Sequence, residues 1–274
     1  MKIALFQAQT GIDPEANAAE LVRRVRQAAA GGAAMLFTPE MSGLLDRDRE
    51  RAAAHLRLPE EDPVLGAVRE AAAKAGIWVH LGSLAVRRAD EARLANRAFL
   101  IDGAGAIRAT YDKLHLFDVD LPTGESWRES AAYAPGEAAV VADTPVGPLG
   151  LSICYDLRFP DLYRALTDAG AKVIAIPAAF TVPTGEAHWH VLMRARAIEA
   201  GVFVVAAAQA GRHADGRETY GHSLVAGPWG EVLLDMGPEP GLAFAEVDPG
   251  EVDRVRARVP AIAHRRPIPP VERR

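Results

Sequence analysis

Apolar runs of strand length recur along the chain: "KIALFQAQ", "AMLFTPE", "IWVHLGSLAV", "NRAFLIDG", "AIRATYDKLHL", "GLSIC", "KVIAIPAAF", "GVFVVAAAQA", "HSLVAGPWGEVLLDM" and "LAFAEVD". Short apolar runs bounded by turn residues predict strands. Helical patterns lie between several of them. "PEANAAELVRRVRQAAAGG" carries a proline near its start and glycines at its end, and "EAHWHVLMRARAIEAG" ends on the same stop signal. "FLIDGAGAIRATY" and "LVAGPWGEVLLDM" place glycine-containing turns between strand runs, which predicts antiparallel hairpins. About ten strands with about five helices exceed what one doubly wound sheet uses, so the pattern predicts two sheets packed face to face with helices outside.

The chain has 274 residues, 49% of them hydrophobic, enough to bury a large α/β core. No serine- or glycine-rich linker divides it. The tail "AHRRPIPPVERR" is rich in proline and arginine and predicts an extended segment, so the expected organisation is one domain over 1–260 and a tail over 261–274. A net charge of −5, with cations scattered in clusters such as "LVRRVRQ", leaves no basic footprint for nucleic acid. "MKIALFQAQTGID" reads as a first strand and not a leader, because Gln7 and Gln9 interrupt its apolar run. No stretch approaches the roughly 18 apolar residues that span a bilayer. A single cysteine argues against a disulfide-built secreted protein, so the expected location is cytoplasmic.

Three strand runs end in residues able to do chemistry: "AMLFTPE" at Glu40, "AIRATYDK" at Lys113 and "GLSIC" at Cys154, just before a predicted helix, "DLRFPDLYRALTDAG". Catalytic groups in α/β folds gather outside strand ends, where rigid elements aim them and loops leave them accessible. Each residue alone has a plain explanation: a cap or solvated carboxylate, a surface lysine, a cysteine buried as a small hydrophobe. Together they form a coherent set. A thiol needs a base to become a nucleophile and a cation to stabilise the anion formed by attack.

"FTPEMSG", "YDKLHLFDVDLPTGESWRESAAYAPGE" and "GLSICYDLRFPDL" resemble, in order, the signature blocks of the nitrilase or carbon-nitrogen hydrolase superfamily. "IPAAFTVPTGEAHWHVLMRARAIEAGVFVVAAAQAG" and "YGHSLVAGPWGEVL" resemble its later blocks, so the likeness runs from near residue 1 to the tail. A finer resemblance, carried by "HLFDVDLP", "RES" and "FTVPTGEAHWHVLMRARAIE", is to the branch of amidases acting on deaminated glutathione and on 2-oxo acid ω-amides. The resemblance implies a four-layer α-β-β-α sandwich, commonly paired as a homodimer, and a Glu-Lys-Cys set falling on Glu40, Lys113 and Cys154. It implies a second glutamate upstream of the cysteine, placed at Glu129 in "WRES"; Glu125 in "TGESW" is the competitor but keeps the family spacing less well. It implies hydrolysis of a small anionic amide by water through a cysteine thioester, with no metal or organic cofactor and no nucleic-acid or membrane partner. Omega-amidase, N-carbamoyl amidase and nitrilase activities are the alternatives within the superfamily, and a non-catalytic binding module the alternative outside it.

The candidate substrate-binding residues are Tyr155, Arg158, Phe180 and Thr181. Arg158, four residues beyond Cys154, is a fork-shaped partner for a substrate carboxylate, or else pairs structurally with Asp156 or Asp161. Arg194 and Arg196 present the same choice. His188, His190, His213 and His222 raise a metal site, but alternate residues on a helix point to different faces, and no ligand stands beside them at the usual spacing. Ser223 in "GHSLV" lacks the second glycine of a nucleophile elbow, and no phosphate-cradling glycine motif is present.

Overall fold

The computed structural model describes residues 1–120, 124 and 126–273. Glu125, the competing second glutamate, lies outside the described residues. The first half of the chain runs β1 (Lys2–Gln7), α1 (Pro14–Ala30), β2 (Met35–Phe37), α2 (Arg49–Ala53), α3 (Pro63–Ala75), β3 (Trp78–Val86), β4 (Ala95–Ile101) and β5 (Ile107–Asp112). Then come the short strands β6 (Asp118–Asp120), β7 (Ser126–Arg128) and β8 (Val140–Ala142). The second half runs β9 (Leu149–Leu151), α4 (Pro160–Asp168), β10 (Val173–Ala175), α5 (Val182–Ala200), β11 (Phe203–Ala206), β12 (Ala210–Arg212) and β13 (Glu218–Tyr220). It closes with β14 (Leu224–Ala226), β15 (Val232–Asp235), β16 (Gly241–Glu246) and α6 (Pro249–Arg258).

Two six-stranded sheets form, in the orders β16-β1-β2-β3-β4-β5 and β15-β14-β11-β10-β9-β8. Each has three parallel strands, β1-β2-β3 or β9-β10-β11, flanked by antiparallel ones. Alternation along β1 explains the layering, since successive side chains leave opposite faces. Ile3 and Leu5 join a core with Leu149, Leu151 and Val173 of the second sheet, whereas Ala4 and Phe6 join Leu21, Val25, Leu65 and Val68 of α1 and α3. Trp189, Met193 and Ala197 of α5 pack against the second sheet and extend the same core. The result is the four-layer α-β-β-α sandwich.

Helix ends follow their sequence signals. Asp13 caps α1 by accepting from Glu15 and Ala16 N–H, and Asp62 caps α3 through Leu65 N–H, each just before a proline. The hairpins β4-β5 and β14-β15 form as expected. The sixteen strands among the described residues exceed the expected ten because pieces such as "DVD" and "SWR" pair without any apolar period to announce them. The helix expected straight after Cys154 differs too. Residues Cys154–Arg158 make a 3₁₀ turn and α4 begins at Pro160, because a residue before proline is pushed out of the helical region, and Phe159 sits at φ −113, ψ 90. Among the described residues no helix is long and apolar enough to cross a membrane.

Candidate active site

The site assembles where the parallel strands of both sheets end. Glu40 follows β2, and its seat depends on β3, whose pairing with β4 is irregular between Leu81 and Leu84. Gly82 lies in that irregular stretch. A Cβ there would stand 2.1 Å from the Thr38 carbonyl oxygen and 2.5 Å from that of Pro39, so only glycine lets the two segments meet. Gly82 N–H then donates to Thr38 Oγ1 at 3.0 Å, and the Gln209 amide donates to the Glu40 carbonyl at 2.8 Å. Lys113 leaves the end of β5, its N–H donating to the Asn96 carbonyl at 3.0 Å.

Cys154 follows β9 with φ 50, a left-handed conformation costly for a side-chain-bearing residue. Its N–H donates to Pro177 O at 2.9 Å. The fully buried Asp156 holds this turn in place. One oxygen accepts from Ile153 N–H at 2.9 Å and from the Tyr111 hydroxyl at 2.7 Å. The other accepts from His115 N–H at 3.0 Å and lies 2.7 Å from His115 Nδ1.

The predicted residues converge. Lys113 Nζ lies 2.9 Å from Glu40 Oε1 and 2.9 Å from Glu129 Oε2, and Asn96 Nδ2 donates to both glutamates at 2.9 and 3.0 Å. The second oxygen of Glu40 accepts Ala179 N–H at 3.0 Å, and Glu129 Oε2 accepts Phe117 N–H at 2.7 Å. The Cys154 thiol lines the same cavity as Glu40, Lys113 and Ala179. Glu40, Lys113 and Cys154 are all buried. Burial alone would raise the Glu40 carboxyl, but the Lys113 charge and hydrogen bonds from Lys113 and Asn96 outweigh it and hold the group below the usual carboxylate range. Burial likewise works against the Lys113 ammonium, yet Glu129 and Glu40 keep it well above the ordinary lysine value. Burial and then the Glu40 charge push the thiol up, against the pull of Lys113. The resting site is thus carboxylate, ammonium and neutral thiol.

Above this floor opens a cavity of about 1100 Å³. Tyr155, Arg158, Phe180 and Thr181, the candidate substrate-binding residues, all line it. Arg158 does not take the structural role open to it: Asp156 is occupied as described, and among the described residues no ion pair joins Arg158 to Asp156 or Asp161. Its guanidinium lies 5.7 Å from the Phe180 ring centroid and 3.3 Å from His188 Nδ1. Arg194 and Arg196 stand elsewhere, donating to the Gly230 and Leu157 carbonyls. Ser223 is structural, its hydroxyl accepting from Ala208 N–H. Three contributors escaped the sequence reading: Asn96 and the N–H groups of Ala179 and Phe117. Asn96 left one signal, a polar residue opening the apolar run "NRAFLIDG".

The pattern that defines the carbon-nitrogen hydrolase family matches residues 2–257. The chain belongs to this family. As a carbon-nitrogen hydrolase it is an enzyme of amide hydrolysis, and its relatives accord with that. The deaminated glutathione amidase of Yersinia enterocolitica is 38% identical over 266 residues, covering 96% of this chain and 92% of its own. The crystal structure of the Caenorhabditis elegans NitFhit protein superposes with a TM-score of 0.89 at 38% identity; the match covers 97% of this hydrolase and 65% of that longer chain. A mutant amidase from Nesterenkonia sp. AN1, TM-score 0.81 at 27% identity and covering 97% of this chain and 94% of its own, carries the acetamide moiety of fluoroacetamide added covalently at its active-site cysteine.

Proposed function

We propose that this hydrolase cleaves a small anionic 2-oxo acid amide, with the amide bond of deaminated glutathione preferred, through a thioester on Cys154. The observation that carries the reading is the meeting of the Cys154 thiol, Glu40 and Lys113 at the floor of a cavity with Arg158 in its wall. Because the thiol rests protonated, attack is coupled to proton transfer: the Sγ–C bond forms as Glu40 takes the thiol proton. The Lys113 ammonium and the Tyr155 N–H hold the resulting oxyanion, each such donor contributing about 3 kcal/mol. Glu40 then passes its proton to the amine as the C–N bond breaks. Water, deprotonated by Glu40, attacks the thioester, and Cys154 leaves as thiolate and recovers the proton. Glu129 holds Lys113 in position. These side chains and water account for every proton and electron pair.

The preference for deaminated glutathione over 2-oxoglutaramate is supported by near-full-length relatives of that name at 38% and 39% identity, and the cavity of about 1100 Å³ has room for either amide. A homodimer and a cytoplasmic location belong to the same reading. Val191 and Ile198 on α5, with Trp229 nearby in sequence to β15, are more than half exposed and supply an apolar face, and the single free cysteine suits a reducing compartment. Purified enzyme assayed side by side on deaminated glutathione, 2-oxoglutaramate, a nitrile and a carbamoyl amino acid tests the assignment. The first should give the highest kcat/KM; preference for the nitrile or carbamoyl compound overturns it.

A further inference from the structure

Away from the catalytic cavity, three residues distant in sequence meet at the surface: His190 on α5, His222 between β13 and β14, and Asp235 at the end of β15. None of them lines the cavity. His190 Nε2 lies 2.8 Å from Asp235 Oδ2, and His222 Nδ1 lies 2.9 Å from Oδ1 and 3.2 Å from Oδ2. One ligand atom from each residue falls within 4.8 Å of the others. We infer that His190, His222 and Asp235 form a binding site for a divalent late first-row transition-metal ion, of which Zn²⁺ is the working case.

The donor set suits such an ion. Two neutral imidazoles and one carboxylate, with a fourth position left to water, is a tetrahedral zinc arrangement, and it leaves one negative charge facing the dication. Ligand atoms in such a site stand about 3.3 Å apart, given metal–ligand bonds near 2.1 Å. The two histidine–carboxylate separations therefore need to widen by only a few tenths of an ångström, and the two imidazole nitrogens already stand within 4.8 Å of each other. They are 35%, 23% and 32% exposed, so an ion can enter and water can complete its shell.

The backbone prepares the site. His222 holds φ 54, where few non-glycine residues sit, and is pinned there on both sides: its N–H donates to Gly237 O at 2.8 Å and its carbonyl accepts Trp189 Nε1–H at 2.7 Å. Its ring stacks on Tyr220 at 4.4 Å, and Asp235 Oδ1 also accepts Gly237 N–H at 2.9 Å. These contacts orient two ligands before any ion arrives, as the outer partners of metal sites do. A bound ion would clamp α5 to the β14-β15 hairpin.

The test uses the full chain, free of any histidine tag and carrying Cys154→Ala so that the catalytic thiol cannot hold zinc. Calorimetric titration with Zn²⁺ should show one saturable site, and the melting temperature should rise with added zinc. His190→Gln, a change on the helix surface, and Asp235→Asn should each weaken binding at least tenfold. An anomalous difference map at the zinc edge should place one ion between the three residues, which keeps the test decisive should Asp235→Asn fail to fold. No saturable binding below roughly 100 μM, undiminished binding in the His190→Gln variant, or zinc located only elsewhere would leave the trio a hydrogen-bonded latch and overturn the inference.

Discussion

The two sheets of the sandwich are built alike, three parallel strands with antiparallel flanks, yet they bring different things to the site. The first sheet delivers the charged groups, Glu40 beyond β2 and Lys113 beyond β5, with Glu129 from the excursion that follows, and the neutral Asn96 amide on β4 that links the two glutamates. The second sheet delivers the nucleophile beyond β9 and a backbone donor, Ala179, beyond β10. Neither half is a site alone. A thiol whose proton is held tightly by burial is inert until the opposite sheet presents a carboxylate and a cation to it. The division of labour teaches that docking of the sheets, more than either strand set, creates the chemistry.

Removing the second sheet's contribution should have the largest effect. Cys154→Ala should abolish amide hydrolysis while far-UV circular dichroism and melting temperature stay near wild type, because only a small buried group is lost. Turnover by this variant near the wild-type rate would disprove the nucleophile. Next comes the first sheet's pair: Glu40→Gln and Lys113→Ala should each lower kcat by several orders of magnitude, and the double variant should be little worse than either, since groups acting as a unit fail together. Losses that multiply would mean that the two residues serve separate steps.

Asn96→Ala sharpens the comparison, because among the described residues the Asn96 side chain hydrogen-bonds to the two glutamates and to nothing else. Turnover should fall by about ten- to a hundredfold. The pH profile should also move in a definite direction. Glu40 acts ionised and is held below the usual carboxylate range, so the acid limb of kcat/KM should lie low in the wild type. Deleting a donor to the ionised form raises that group, so the limb should shift to higher pH in the variant. A rate loss with an unmoved limb would reduce Asn96 to packing. Smallest is Arg158→Lys, which keeps the charge and loses the fork: KM for anionic amides should rise several-fold, and KM for neutral amides should change little. Equal changes on both substrates would remove Arg158 from carboxylate recognition.

Much of this was legible beforehand, for identifiable reasons. Glu40, Lys113 and Cys154 stand at the ends of apolar runs, and a strand end is visible in sequence. The two-sheet architecture follows from the number of such runs. What stayed hidden is what depends on backbone or on contacts across the fold. Ala179 contributes an N–H and no side chain, so no composition rule singles it out. Asn96 looks like an ordinary first residue of a strand until β4 is set beside Glu40. The 3₁₀ turn at Cys154 had a local signal, the proline after Phe159, that the helical pattern masked, whereas the meeting of His190 with His222 arises from three-dimensional neighbours, against their separation in the chain.

The way Asp156 is held bears on how such enzymes can be recombined. Its partners Tyr111 and His115 lie 45 and 41 positions away in the chain, on and just beyond β5. A graft of the loop 153–159 into another scaffold would leave those donors behind and bury a carboxylate with unmet acceptors, a cost of several kcal/mol. The smallest portable unit is therefore the loop together with β5 and the turn after it. Exchange of shorter pieces between relatives should yield misfolded turns, so the parts of this catalytic centre are expected to travel between scaffolds as a block.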